Sequence, residues 1–358
     1  LFDAAQAANA LSDPKDDAQS AGLRHVCDSQ PGIKRKKRGK GFAYFGQDGS
    51  MVRTPALMER IRSLAIPPAW TDVWICPHAN GHLQATGRDA RGRKQYRYHP
   101  LFREVREDAK YEHIVGFART LPVIRETVAR DMAMRGLPRQ KILATVVHLL
   151  ETTSIRIGND DYARKNDSYG LTTLQNCHVA VNGAEVRFRF MGKSGKQWSL
   201  RVKDRRIAKI VKSCQDLPGQ DLLQYIGENG SLQNVTSTDV NAYLREITGQ
   251  DITAKDFRTW AGTVMAAVAL RDMADFETAV EGKKNVKDAT ARVAARLGNT
   301  PAICRKCYIH PRVFESYLGG CFILPMSKPT GGRSPHRGEG LSPEEASVLS
   351  ALQSELSE

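Results

Sequence analysis

No stretch of this 358-residue chain approaches the roughly 20 consecutive apolar residues that a membrane-spanning helix requires, so no membrane partner is expected. The opening Leu1-Phe2-Asp3 has neither a basic region nor an apolar run behind it, so no secretory leader is expected either. Cysteine is scarce and scattered: the seven stand at 27, 76, 177, 214, 304, 307 and 321. An odd number strung along a long chain is poor material for a disulfide framework and fits a reducing, cytoplasmic setting. Only Cys304 and Cys307 form a CxxC pair, with His310 three residues on, and no second pair supplies the remaining ligands of a structural zinc site. No metal is therefore expected. Gly192-Lys193-Ser194 invites a phosphate-loop reading, but the glycine that such a loop needs five residues earlier is Arg187. With that loop missing, no nucleotide cofactor is expected.

What the chain does have is positive charge. Lysine and arginine number 53 against 39 acidic residues, a formal charge of +14, which points to an anionic partner. Hydrophobic residues make up 41% of the chain, which excludes wholesale disorder, and the length suits two or three domains.

Residues 1–32 are Ala-, Asp- and Ser-rich without sustained periodicity and read as a loose arm. The basic block Lys34 to Lys40 follows, a solvated face or a phosphate-contacting one. From Phe42 to about Pro100 the signals are short strands, with hairpin turns predicted at Asp48-Gly49 and Asn80-Gly81, and a helix over Leu57–Leu64. The character changes at about 101. Ile142, Leu143, Val146, Val147 and Leu150 share a helical face. A β interlude over 178–202 turns at Asn182-Gly183 and alternates Val186, Phe188 and Phe190 inward. Helices then return: Thr253 and Asp256 form a capping box, Gly298 closes a helix begun near Val286, and Thr300-Pro301 opens a short one carrying Cys304 to Tyr308. Residues 326–340 read as a linker, and Ser342-Pro343-Glu344-Glu345 as the start of a terminal helix with Val348, Leu349 and Leu352 on one side. The fold class is α+β, a small antiparallel β-rich domain followed by a larger, mainly α-helical one.

The stretch Leu149 to Leu174, with Ile155-Arg156-Ile157-Gly158-Asn159-Asp160 at its centre, closely resembles the signature of the small type IB DNA topoisomerases, bacterial relatives of the poxvirus enzyme. The likeness runs on through Phe190-Met191-Gly192-Lys193-Ser194-Gly195-Lys196 and Lys255-Asp256-Phe257-Arg258-Thr259-Trp260-Ala261-Gly262-Thr263, and ends in Gly298 to Tyr308. The blocks stand in the family's order and cover roughly residues 35–325. The resemblance implies Arg156 and Arg258 as the catalytic arginines, Lys193 as the general acid and Tyr308 as the nucleophile. Asn299 stands where many relatives have His, keeping a hydrogen-bond donor without a charge. Arg93, Gln95, Tyr96 and Tyr98 resemble a DNA-contacting segment, and Tyr162 a DNA-facing tyrosine. The implied organisation is an N-terminal arm (1–34), a DNA-clamp domain (35–103), a helical catalytic domain (104–325) and a C-terminal tail (326–358).

The residue types suit that chemistry. Attack on a phosphodiester builds charge on oxygens that two planar, permanently charged guanidiniums can match. An aryl phosphodiester keeps the bond energy of the cut strand, so rejoining needs no ATP. The expected activity is ATP-independent relaxation of supercoils through a 3′-phosphotyrosyl intermediate, by a monomer clamped on double-stranded DNA in the cytoplasmic nucleoid. Two other readings remain. A tyrosine recombinase would usually have His where Lys255 stands, and a helical arm in place of the β-rich domain. A non-catalytic DNA-compacting protein accounts for the charge but leaves the ordered set Arg156, Lys193, Arg258, Tyr308 without a use.

Overall fold

The structure is a computed structural model that describes residues 13–320 and 340–354, apart from Glu228 and Ala274. The chain divides into two compact units, the first ending at His113 and the second beginning at Ile114. Among the described residues, no helix is long and apolar enough to cross a membrane.

The first unit contains helix α1 (Pro14–Ser20), strands β1 (Ile33–Arg38) and β2 (Gly41–Phe45), helix α2 (Pro55–Ser63), then β3 (Thr71–Ile75), β4 (Leu83–Arg88) and β5 (Lys94–Tyr98). The strands form an antiparallel sheet in the order β2-β1-β3-β4-β5. Val73-Trp74-Ile75-Cys76 is apolar without alternation, and both faces of β3 are accordingly buried. Val73 and Ile75 pack with Ile61 of α2 and with Trp70. Trp74 and Cys76 face the other way, against Val26 and Leu83.

That second face corrects the reading of 1–34 as a loose arm. Residues 1–12 lie outside the described part, but 13 onward are ordered by specific contacts. Arg24 donates its N–H to the Asn80 carbonyl at 2.8 Å, the Trp74 indole donates to Gln30 O at 2.9 Å, and buried Asp17 pairs with Arg106 at 2.6 Å. The segment covers sheet surface that would otherwise stay exposed. It also changes the Asn80-Gly81 connection, where neither residue has positive φ. Gly81 is needed for close approach instead, since a Cβ there would lie 2.6 Å from Cys76 Sγ. At Asp48-Gly49 only the glycine is left-handed (φ +77°).

Helix α3 (Pro100–Met132) runs through the boundary between the two units, so the change at about 103 falls inside a helix. The second unit continues with α4 (Arg139–Thr153), α5 (Asp160–Asn166), the antiparallel strands β6 (Val179–Asn182), β7 (Glu185–Gly192) and β8 (Lys196–Lys203), α6 (Arg205–Gln215), the short pair β9 (Gln224–Ile226) and β10 (Leu232–Asn234), and α7 (Ser237–Thr248). It closes with α8 (Ala254–Arg271), α9 (Ala279–Leu297), α10 (Pro301–Cys307), α11 (Pro311–Leu318) and α12 (Pro343–Ser354). Helix α4 is buried nearly all round and packs on α7 and α8, while α8 also packs on α9 and α12.

Val186, Phe188 and Phe190 point inward as the alternation required. The β6–β7 turn is Gly183-Ala184, one residue later than expected, because Asn182 still pairs with Glu185 and only Gly183 takes positive φ. Helix α9 starts seven residues before Val286, at a capping box in which the Glu281 carboxylate accepts from the Thr278 N–H. The terminal helix is present, with Val348 and Leu352 buried. The linker reading falls outside the described residues except at Gly340.

Candidate active site

Four of the five candidate catalytic residues meet at the C-terminal end of α9. Arg156 arrives from α4, which ends at Ser154 in the left-handed conformation (φ +57°). Its backbone is then gripped: Leu171 N–H donates to Arg156 O at 2.9 Å, and a Cβ on Gly170 would lie 2.6 Å from that same oxygen. Arg258 lies on the buried face of α8, 3% exposed. The capping box at Thr253 sets that helix's start, with the Asp256 carboxylate accepting from Thr253 N–H at 2.8 Å. Asn299 follows Gly298, the left-handed residue (φ +66°) that ends α9, and precedes Thr300, which caps α10.

Two like-charged guanidiniums side by side need acceptors, and the source is unusual. Among the described residues neither is paired with a carboxylate. Arg258 donates through Nη1 to the Ser154 carbonyl and through Nη2 to Leu297 O at 2.7 Å. Arg156 donates through Nη2 to Asn299 Oδ1 and to Gly298 O at 3.4 Å. Lys196 reaches Ala295 O at 3.4 Å. The unsatisfied carbonyls and negative dipole end of α9 thus hold three cations without neutralising them. The positive charge stays available. Arg156 Nη1, Arg258 Nε and Asn299 Nδ2 are moreover buried donors without a partner. Burial, followed by the Arg156 charge, lowers the Arg258 guanidinium to about 10 against the opposing influence of Tyr308.

Tyr308 stands just beyond α10 as its C-cap residue (φ −130°, ψ 0°), not within the helix that the sequence suggested. The Arg258 guanidinium carbon is 5.2 Å from the centroid of its ring. Two features of α8 that sequence reasoning passed over set its position. A Cβ on Gly262, one turn after Arg258, would come within 2.3 Å of the Tyr308 carbonyl oxygen, so only glycine admits this approach. Thr263 Oγ1 accepts from His310 N–H at 3.1 Å and pins the chain just past Tyr308. For Gly262 the signal was its spacing, since 258 and 262 share a helical face. Buried Cys304 is a free thiol pushed up to about 11 by burial.

Lys193 sits at the tip of the β7–β8 hairpin, where Ser194 and Gly195 both take positive φ (64° and 72°). Its ammonium lies 5.6 Å from the centroid of the Tyr162 ring. The remaining candidates belong to the first unit. Arg93 is bound to Asp89 by a 2.7 Å ion pair. Gln95 is buried, its amide donating to Asp89 at 3.2 Å, so this side chain is turned inward and not displayed. Tyr96 and Tyr98 stack in parallel with centroids 5.9 Å apart, and burial raises the Tyr98 hydroxyl above its ordinary value. Among the described residues no group of three or more His, Cys, Asp or Glu side chains is placed to hold a metal ion.

Known proteins resemble this chain along most of its length. Residues 99–319 match the family described as eukaryotic DNA topoisomerase I, catalytic core. Residues 41–89 match the N-terminal domain of bacterial DNA topoisomerase IB. The chain is similar to DNA topoisomerase 1B of Acanthamoeba polyphaga mimivirus, 31% identical over 80% of this chain and 87% of the relative. It is also similar to DNA topoisomerase 1B of vaccinia virus (strain Copenhagen), 24% identical over 76% of this chain and 85% of the relative. DNA topoisomerase 1 of rabbit fibroma virus is 24% identical over 72% and 80% respectively.

Proposed function

Because the chain belongs to the type IB DNA topoisomerases, isomerases that act on DNA, we propose that it relaxes positive and negative supercoils with Tyr308 as nucleophile and Arg156, Arg258, Asn299 and Lys193 as its helpers. The observation that carries this reading is the set of buried, unpartnered donors on Arg156, Arg258 and Asn299, gathered about Tyr308 on uncompensated positive charge. A buried donor without a partner costs about 1–3 kcal/mol. Phosphodiester oxygens would satisfy all three.

In the reaction the Tyr308 oxygen attacks phosphorus and gives up its proton. The bond from phosphorus to the 5′ oxygen breaks, and that oxygen takes a proton from the Lys193 ammonium. The proton released by Tyr308 restores Lys193 through solvent, so the count is unchanged. Charge that builds on the non-bridging oxygens is met by the Asn299 amide and the two guanidiniums, which are held in place beforehand by carbonyls at the ends of α4 and α9. The freed 5′ end turns, and the 5′ hydroxyl then attacks the 3′-phosphotyrosine in the reverse step. Neither ATP nor a metal ion has a step to perform, since the bond energy is retained and the arginines supply the charge. Tyr162, Arg93, Tyr96 and Tyr98 are read as DNA contacts of a monomer that grips duplex DNA with both units in the cytoplasmic nucleoid; Gln95 would have to leave Asp89 to join them.

The test is relaxation of supercoiled plasmid in EDTA without ATP, wild type against Tyr308→Phe, with the covalent adduct trapped by denaturant. The wild type should relax both signs of supercoil and, on a linear duplex labelled at a 5′ end, stay bound to the labelled piece of the cut strand, while the variant binds without relaxing. Relaxation by Tyr308→Phe, or an adduct on the opposite strand end, would sink the proposal.

A further inference from the structure

Trp198 is used by nothing described so far, yet it touches both halves of the site. It lies on β8 opposite Phe190 and stacks on that ring almost in parallel, at 2° and 6.1 Å. At one edge of the indole a Cβ on Gly192 would lie 2.7 Å from Cδ1, and at the other a Cβ on Gly298 would lie 2.8 Å from Cζ2. Both neighbours must be glycine for the ring to fit between them. Gly192 immediately precedes Lys193, and Gly298 immediately precedes Asn299 and accepts from Arg156. The cross-strand partner of Gly192 is Lys196, whose ammonium reaches Ala295 O on the same helix end.

We infer that Trp198 is the positioning residue that holds the Lys193 hairpin in register with the arginine pocket. The hairpin tip carries two left-handed residues and has little packing of its own, so its aim must come from its base. A rigid ring wedged between the residue before Lys193 and the residue before Asn299 makes the separation of proton donor and oxyanion donors a property of one side chain. The inference rests on Lys193 being the general acid. A misplaced acid loses proton transfer to the leaving oxygen and leaves the arginine pocket intact.

The test follows from that separation. Single-turnover cleavage is measured on a duplex oligonucleotide containing a cleavage site first mapped on plasmid DNA. One version carries the ordinary 5′ oxygen at the scissile bond, the other a bridging sulfur, whose thiolate leaves without a proton. Wild type, Lys193→Ala and Trp198→Ala are compared on both. We expect Trp198→Ala to be about 10- to 100-fold slow on the oxygen substrate, a fraction of the 10²–10⁴ that a general acid contributes, and close to wild type on sulfur. Slow cleavage by Trp198→Ala on both substrates, with Lys193→Ala recovering on sulfur, would overturn the inference and leave Trp198 as packing for the fold. An unchanged rate on oxygen would overturn it equally. Failure of Lys193→Ala to recover on sulfur would remove the acid itself, a distinguishable result. Should Trp198→Ala not fold, as judged by its melting curve, Trp198→Leu takes its place: it keeps apolar bulk against Phe190 but cannot span the two glycines, and the same pattern is required of it.

Discussion

Replacing Asn299 by Asp should make the protein more stable and almost inert, a pair of opposite effects that few other accounts of the pocket would produce. Asp has the shape of Asn, so the acceptor for Arg156 Nη2 survives while the buried, unpartnered Nδ2 donor becomes a second carboxylate oxygen. Loss of one donor to a developing oxyanion slows a reaction by about 10²–10³. A new negative charge some 4 Å from the reacting phosphate adds roughly 4 kcal/mol of repulsion at an effective dielectric of about 20, about another 10³ in rate. Allowing for overlap between the two, cleavage should fall by at least about 10⁴.

Folding moves the other way. Among the described residues Arg156 and Arg258 stand together without a carboxylate, and burial with mutual repulsion already lowers Arg258 to about 10. A carboxylate at 299 exchanges the bond from the Arg156 cation to a neutral amide oxygen for an ion pair, a gain of about 1–2 kcal/mol, which raises Tm by roughly 2–6 °C in a unit of this size. Melting followed by circular dichroism in phosphate-free buffer, beside single-turnover adduct formation, reads both. Asn299→Ala is the control, with lower Tm and cleavage reduced about 10²–10³. A lower Tm for Asn299→Asp, or cleavage within tenfold of wild type, would refute the claim that the pocket holds uncompensated charge for an anion.

The C-terminal helix is tied down by Arg125, which bonds Glu151 and, through both terminal nitrogens, Glu345 (2.7 and 3.0 Å); Glu345 also accepts from the Trp260 indole at 3.2 Å. Arg125→Met strands two partly buried carboxylates and should cost about 3 kcal/mol or somewhat more, whereas Glu345→Gln leaves Arg125 paired with Glu151 and should cost about 1.5 kcal/mol; equal melting temperatures would contradict the network. Burial alone would push the Glu345 carboxyl up, but the hydrogen bonds from Arg125, Ser342 N–H and Trp260, with the Arg125 charge, outweigh it and hold it below its ordinary 4.5. Its contribution is therefore fully present above about pH 4.5 and lost as pH falls through the depressed value, so acid should destabilise the wild type more than Glu345→Gln. Gly262→Ala improves helix propensity yet drives a methyl into the Tyr308 carbonyl, and should slow cleavage more than tenfold with DNA affinity retained; normal cleavage would show that Tyr308 needs no such approach. DNA affinity should fall by about 10³–10⁵ between 50 and 200 mM salt if some 6–10 phosphates are contacted, and a flat response would argue against a basic grip.

Much of the architecture could be read from the chain because the rules involved act over a few residues. Alternation at Val186, Phe188 and Phe190, the capping box at Thr253 and Asp256, the stop at Gly298 and the start at Thr300-Pro301 are all local, and each stands where it was expected. Where a local signal had a tertiary competitor, it failed. Asn80-Gly81 is not a tight hairpin because the chain near Arg24 pairs with it, and the supposed loose arm is ordered from residue 13 because β3 has a second apolar face to cover.

The same division runs through the site. The sequence by itself determined which side chains are available, in which order, and that they suit attack on a phosphodiester. Only the tertiary structure decided that the arginines are held by carbonyls and not carboxylates, that Tyr308 ends a helix and does not ride within it, and that Trp198 lies between Gly192 and Gly298. The physical reason is distance along the chain. A cap or a turn is completed within about four residues, whereas Arg156 meets the Gly298 carbonyl 142 residues away, and Arg125 meets Glu345 across 220. Spacing rules do not reach that far; packing does.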